Sequence, residues 1–198
     1  MEIDLSVSYL QDRIASSYDE ILFAQKISSL ANSNGGKLII GVNEKGKIIG
    51  IYPKDEIENI PIILANLCSS PIEFTSEVIE LNNKFLLILK IFKSTKIATL
   101  TNDNTFDFYF RIGEKICTAN KIIEKLWSYE YESTRELPGN SKELELVLLN
   151  ANNHTLTQIY NSTKLPKSHV DTLVSWLLYT RKIEMTYINN LVIYQHLR

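Results

Sequence analysis

The sequence is short of the residues that most chemistries require. It has two cysteines, Cys68 and Cys117, in 198 residues. No disulfide framework follows from so few, and both are expected as free thiols among aliphatic neighbours in a reducing cytosol. There is no Cys-x-x-Cys pair, and His154, His169 and His196 do not fall at ligand spacing, so no metal site is expected. There is no Gly-x-Ser-x-Gly elbow, and neither cysteine has the local signature of a nucleophile. Seven glycines and five prolines exclude low-complexity linkers and collagen-like arrays. No run approaches the roughly 20 unbroken apolar residues of a membrane helix. The start, MEIDLSVSYLQDRIASS, lacks the basic-then-apolar order of a signal peptide. The expectation is a cytoplasmic protein with no membrane partner. Charge of one sign is also scarce: the net charge is −2 and the pI about 6.0. Binding to nucleic acid through a broad positive field is thereby disfavoured, and binding through a local patch is left open.

What is present is an ordinary packing balance, 44% hydrophobic and 22% charged residues. Residues 18–31, YDEILFAQKISSLA, carry apolar side chains at helical spacing, with Asp19 and Glu20 suited to a first turn. NSNGG should end that helix. KLIIGV then reads as a buried strand, NEKG as a turn and KIIGIY as a second strand, together a hairpin. Residues 53–67 read as a helix broken or kinked at Pro61. EFTSEVIEL and NKFLLILKIF form a strand pair turned at Asn82-Asn83, FDFYFRIG another strand, and NKIIEKLWSYEYE a helix. Residues 133–143, STRELPGNSKE, have no periodicity and read as a linker. Beyond it KELELVLLNA reads as a helix, TLTQIY as a second with Thr155 as its cap, and a third starts near Pro166 with Val170, Leu173, Val174, Leu177 and Leu178 on one side. A hairpin turned at Asn189-Asn190 closes the pattern, the layout of a winged helix-turn-helix.

Gly35-Gly36-Lys37 suggests a phosphate loop, but Ala31 stands where the first P-loop glycine belongs and Leu38 follows the lysine. A chain reversal between helix and strand is the better reading, and no cofactor is expected. The longer string does carry a resemblance. Ala31, Asn32, Gly35, Gly36, Leu38, Ile40, Gly41, Val42, Gly46, Ile48 and Gly50, with Tyr109-Phe110-Arg111-Ile112-Gly113 later, resemble the two sequence blocks of the Schlafen AlbA-like family. The resemblance covers about residues 5–128. It implies an α+β domain with a mixed sheet, a DNA-binding expectation, and frequent attachment to winged helices in transcriptional regulators. The expected organisation is a Schlafen AlbA-like domain over residues 1–132, a linker over 133–143 and a small winged helix domain over 144–198.

In the ribonuclease branch of that family, paired carboxylates ahead of the first helix hold a metal that activates water. Here the matching segment is Leu10-Gln11-Asp12-Arg13, with one acid where two are needed; Glu2 and Asp4 lie nearby at no defined spacing. The expectation is therefore a nucleic-acid-binding transcriptional regulator without catalysis, its partner double-stranded DNA and a homodimer allowed. Lys37, Arg111 and Lys115 are candidates for contacting the phosphate backbone. For Arg111 the alternative is a structural ion pair with an acid, while Phe106, Phe108 and Phe110 alternate into a core. In the third C-terminal helix, Lys167, Ser168, His169, Thr172 and Ser175 lie off the apolar stripe and could enter a major groove. Lys164, Lys167, Arg181 and Lys182 make that stretch locally basic against Asp171 alone. Asp171, Trp176 and the uncharged wing tip suit groove insertion less well, so docking of protein, or dimerisation, remains the alternative role. A degenerate ribonuclease is the third.

Overall fold

The computed structural model describes residues 4–8, 10–102, 105–131 and 138–197. By internal contacts the chain divides into Met1–Thr118 and Ala119–Arg198.

The first unit is mixed α+β. Its elements are β1 (Gln11–Ile14), α1 (Glu20–Ala31), β2 (Gly36–Ile40), α2 (Pro53–Leu67), β3 (Phe74–Leu81), β4 (Lys84–Ile91), β5 (Thr99–Asn102), β6 (Thr105–Ile112) and β7 (Lys115–Thr118). A mixed sheet has the order β1-β2-β4-β3, with β1 parallel to β2 and the other pairs antiparallel. A three-stranded antiparallel sheet has the order β5-β6-β7. Alternation along β2 sends Leu38 and Ile40 to one face, where they meet Phe23, Ile27 and Leu30 of α1 and Ile60 and Ile63 of α2 in the main core. Each such fully buried side chain contributes roughly 1.5–3 kcal/mol. Ile39, Val42 and Leu86 form a smaller cluster with Leu5, Ile48 and Ile88.

Asp19 caps α1 by accepting from the Leu22 N–H at 3.2 Å. The helix closes where Gly35, at φ +72°, donates its N–H to the Leu30 carbonyl at 2.9 Å. A Cβ at Gly35 would stand 2.6 Å from the Ile91 carbonyl oxygen, and one at Gly36 2.4 Å from that of Leu10. The Gly-Gly pair thus lets backbone approach backbone. Asn32 sits beside it, buried. Its amide nitrogen donates to the Ala98 and Tyr109 carbonyls, each at 2.9 Å, and its oxygen accepts from the Ala98 N–H at 2.9 Å.

Two local readings differ from the outcome. The NEKG turn forms, with the Asn43 side chain accepting from the N–H groups of Lys45 and Lys47 at 3.0 Å. KIIGIY nevertheless makes only single bridges, Val42 with Ile48 and Ile51 with Phe85. Both edges of β2 are already taken by β1 and β4, so no ladder is available to it. Helix α2 runs through Pro61 instead of breaking there. The Asn82-Asn83 turn is as expected, both residues left-handed at φ 55° and 58°.

The second unit contains α3 (Lys121–Tyr131), α4 (Ser141–Asn150), α5 (Leu156–Thr163), α6 (Lys167–Tyr179), β8 (Ile183–Ile188) and β9 (Leu191–His196). Capping boxes at Asn140 with Glu143 and at Thr155 with Gln158 start α4 and α5. The core joins Val147, Ile159, Val170, Leu173, Val174, Leu177, Ile183 and Tyr194 with Ile122 of α3. Helix α3, which the sequence pattern assigned to the end of the first domain, therefore belongs to this packing. Of the proposed linker, residues 133–137 lie outside the described residues, and Ser141 already opens α4. Among the described residues no helix is long and apolar enough to cross a membrane. Both cysteines are free and half-buried, and burial pushes the Cys68 thiol up to about 11.

Candidate nucleic-acid interface

Two groups of basic residues stand out in the first unit. The first surrounds Asp12, which β1 points toward α1 and β6. Asp12 Oδ1 accepts from Lys26 Nζ at 2.8 Å and from the Arg13 N–H at 2.7 Å, while Oδ2 accepts from Arg111 Nη1 at 2.7 Å. Burial raises the Asp12 pKa, but the bonds from Lys26 and Arg111 outweigh it and hold the carboxyl below its ordinary value. Arg111 is only 3% exposed. Its Nη2 donates to the carbonyls of Ser8 at 3.1 Å and Glu114 at 3.0 Å, and its backbone N–H to Ser33 Oγ at 2.9 Å. The expectation that Arg111 contacts phosphate is thus corrected: it is the structural ion pair. Phe108 and Phe110 are buried as the alternation requires; the Phe106 side chain lies outside the described residues. Asp4 accepts from the Ser6 N–H at 2.9 Å, and Glu2 lies outside the described residues. Among the described residues no three His, Cys, Asp or Glu side chains are grouped to hold a metal.

The second group is a row across the mixed sheet. Pairing places Gln11 beside Lys37, Lys37 opposite Lys90, and Lys90 opposite Thr75. The row contains two adjacent lysines and no carboxylate. Both lysines are exposed, and among the described residues neither is ion-paired. Like charges directly opposite on neighbouring strands repel. A groove of about 430 Å³ opens here, lined by Lys37, Lys90, Lys93, Phe92, Leu10 and Gln11. Lys90 Nζ lies 5.6 Å from the centroid of the Phe92 ring. At one side of the groove Gly36 admits the Leu10 carbonyl, which accepts from the Lys37 N–H at 2.8 Å. Ser8 also lines it, so Arg111 braces the groove wall from behind. Through the Glu114 carbonyl the same guanidinium fixes the turn that leads to Lys115, which is exposed at the start of β7. Lys90 and Lys93 were missed by sequence reasoning. Their only local signal is the lysine pair bracketing Ile91-Phe92 at the end of an apolar strand, and their proximity to Lys37 depends on the β2–β4 register.

In the second unit, α3 lies along the side of α6 assigned to base readout. Ser175 is fully buried, its hydroxyl within reach of two acceptors for its one proton, the carbonyls of Ile122 at 2.9 Å and Asp171 at 2.6 Å. Lys125 Nζ donates to the Thr172 hydroxyl, and Trp176 meets Tyr129 edge-on at 5.4 Å between centroids. Ser175 is therefore a packing residue, and Thr172 is engaged inside the unit. His169 Nε2 lies 3.0 Å from Glu143 Oε2. Lys167 and Ser168 remain exposed at the start of α6, with Lys167 Nζ 5.5 Å from the Tyr160 ring centroid. Asp171 is buried and accepts from the Tyr160 hydroxyl.

A family model described as Schlafen, AlbA_2 matches residues 6–120. Among solved structures, the DIP2311 protein from Corynebacterium diphtheriae superposes with a TM-score of 0.50 at 13% identity, over 70% of this chain and 32% of that one. The chain thus spans about a third of that protein's length. The N-terminal domain of a RecG-related protein from Nitrosomonas europaea gives a TM-score of 0.38 at 16% identity, over 51% of this chain and 74% of that one. No curated protein matches.

Proposed function

Because the chain belongs to the Schlafen AlbA_2 family, we propose that its first unit binds nucleic acid by the phosphate backbone, through Lys37 and Lys90 with Lys93 at the end of the row. The observation that carries this reading is the adjacency of two exposed lysines with no carboxylate between them. A phosphate placed there relieves their repulsion, as no ion pair among the described residues does. Lys115 supplies an outer contact, and Arg111 acts as a positioning residue. With a net charge of −2, attraction is confined to this patch, so affinity is modest and falls with salt. The reading is one of binding without cleavage: both Asp12 oxygens already accept from cations, which supports a structural role for that carboxylate.

The C-terminal unit we take to be a winged helix, supported by the order of α4, α5, α6 and the β8–β9 hairpin. A transcriptional regulator on double-stranded DNA would read bases with α6, but support for that step is reduced to Lys167 and Ser168. The cover of α3 over Thr172 and Ser175 favours the second reading, in which this unit docks protein or a second copy. The test is a salt titration of the full chain with random duplex DNA, single strands and RNA. Binding whose slope shrinks in Lys37→Ala and Lys90→Ala is expected; no binding to any of them at low salt would end the nucleic-acid reading.

A further inference from the structure

Beside the lysine row the groove has an apolar side that phosphate contact leaves unexplained. Phe92 is 40% exposed and Leu10 51% exposed, and both line the cavity that holds Lys37 and Lys90. A duplex presents phosphates and sugars at its rim and keeps its base faces stacked inside, so an open phenyl ring at this place gains little from it. A single strand presents base faces, and stacking of one base on an aromatic ring is worth roughly 1–3 kcal/mol. We infer that the groove takes a single-stranded polynucleotide, with one phosphate between Lys37 and Lys90 and an adjacent base against Phe92. This inference rests on the nucleic-acid reading and specifies its substrate.

Three further features fit this occupant. Lys37 and Lys90 stand opposite each other in the β2–β4 ladder, where paired residues are roughly 4.5–5.5 Å apart at Cα, so both ammonium groups can converge on one phosphate. The Lys90 ammonium lies 5.6 Å from the Phe92 ring centroid; drawn onto a phosphate, it leaves that ring to the adjacent base. Gln11, the nearest amide in the row, already donates to the Asp4 and Ser6 carbonyls at 2.9 Å. Its donor group is thus not free to read a base edge, and the site is expected to tolerate sequence.

The experiment is fluorescence anisotropy of the full chain against labelled oligothymidylate, oligouridylate and a mixed-sequence duplex of equal length, each about 15 nucleotides, near the upper end of single-strand site sizes. Wild type, Phe92→Ala, Phe92→Leu and Lys37→Ala are compared, with circular dichroism melts to confirm folding. The expected result is tighter binding of single strands than of duplex. Phe92→Ala should weaken single-strand binding roughly tenfold with the salt slope and the weaker duplex binding unchanged. Phe92→Leu, which keeps an apolar body but no ring face, should behave like Phe92→Ala. Lys37→Ala should weaken all three and lower the slope. Comparison of oligothymidylate with oligouridylate separates DNA from RNA. Equal binding of duplex and single strands, with both Phe92 variants silent and Lys37→Ala still weakening, overturns the single-strand inference and leaves the nucleic-acid reading standing. No binding of any probe by the wild type overturns both.

Discussion

Two sets of cations occupy one unit under opposite conditions. Lys26, partly exposed, and Arg111, buried, converge on the buried Asp12, each within 2.8 Å of a carboxylate oxygen. Lys37 and Lys90 stand side by side in water, on neighbouring strands, with no acid in their row. The first set already shares an internal counter-charge, so its removal should be read in stability. The second is not, so its removal should be read in ligand binding. A basic residue beside aromatics in the sequence, as in Tyr109-Phe110-Arg111, says nothing of which set it joins; the presence or absence of a carboxylate opposite it does.

The largest effect expected is from Asp12→Asn. It leaves two cations facing each other without a counter-charge, and the loss should be about 3–5 kcal/mol, read by thermal or urea unfolding. The carboxyl is held below its ordinary value in the folded state, so its contribution is complete above the unfolded range near pH 4 and fades as pH falls through the lowered value. The gap between wild type and Asp12→Asn should therefore narrow on acidification; a gap independent of pH would show that the pair does not act through its charge. Next is Gly36→Ala. With φ +148° and the Leu10 carbonyl 2.4 Å from the new Cβ, it should cost roughly 1–3 kcal/mol. Because Leu10 is a groove wall, it should also weaken nucleic-acid binding. If the binding survives unchanged, the groove is not where the ligand sits.

Lys37→Ala and Lys90→Ala should each lower the slope of log affinity against log salt by about 1, with unfolding midpoints unchanged or slightly raised as like-charge repulsion is removed. A lowered midpoint with an unaltered slope would put these lysines in the same class as Arg111 and erase the contrast. The smallest effect is in the second unit. Ser175→Ala removes one buried hydroxyl and should cost about 1 kcal/mol, with binding unchanged in an anisotropy titration. A change in base preference would instead restore α6 to a reading role.

How much of this could be read from the chain depended on the distance between partners. The apolar stripe of α1, the Asn82-Asn83 turn and the Thr155 cap are settled within a few residues, and each was legible. The string around Gly35-Gly36 was legible too, as a chain reversal and as a family mark. The four-residue strands β1, β5 and β7 were not, because such short segments take their state from ladders with distant partners. Arg111 was left between two roles since Asp12 lies 99 residues away. Lys90 was missed because only the β2–β4 register brings it to Lys37. Ser175 was misassigned, and Thr172 is engaged by Lys125, because α3 and not water meets that part of α6.

Asn32 carries one more consequence. Its side chain meets two carbonyl oxygens and one N–H group, all 2.9 Å away. The position therefore selects hydrogen-bond direction as well as outline. An aspartate, nearly identical in shape, would aim a carboxylate oxygen at the Ala98 and Tyr109 carbonyls, turning two attractions between α1 and the β5–β6 pair into two repulsions. The asparagine in the Ala-Asn-x-x-Gly-Gly string acts as a polarity key: it locks the end of a helix to a second sheet, and a side chain of the same size with the opposite sense of donation does not turn it.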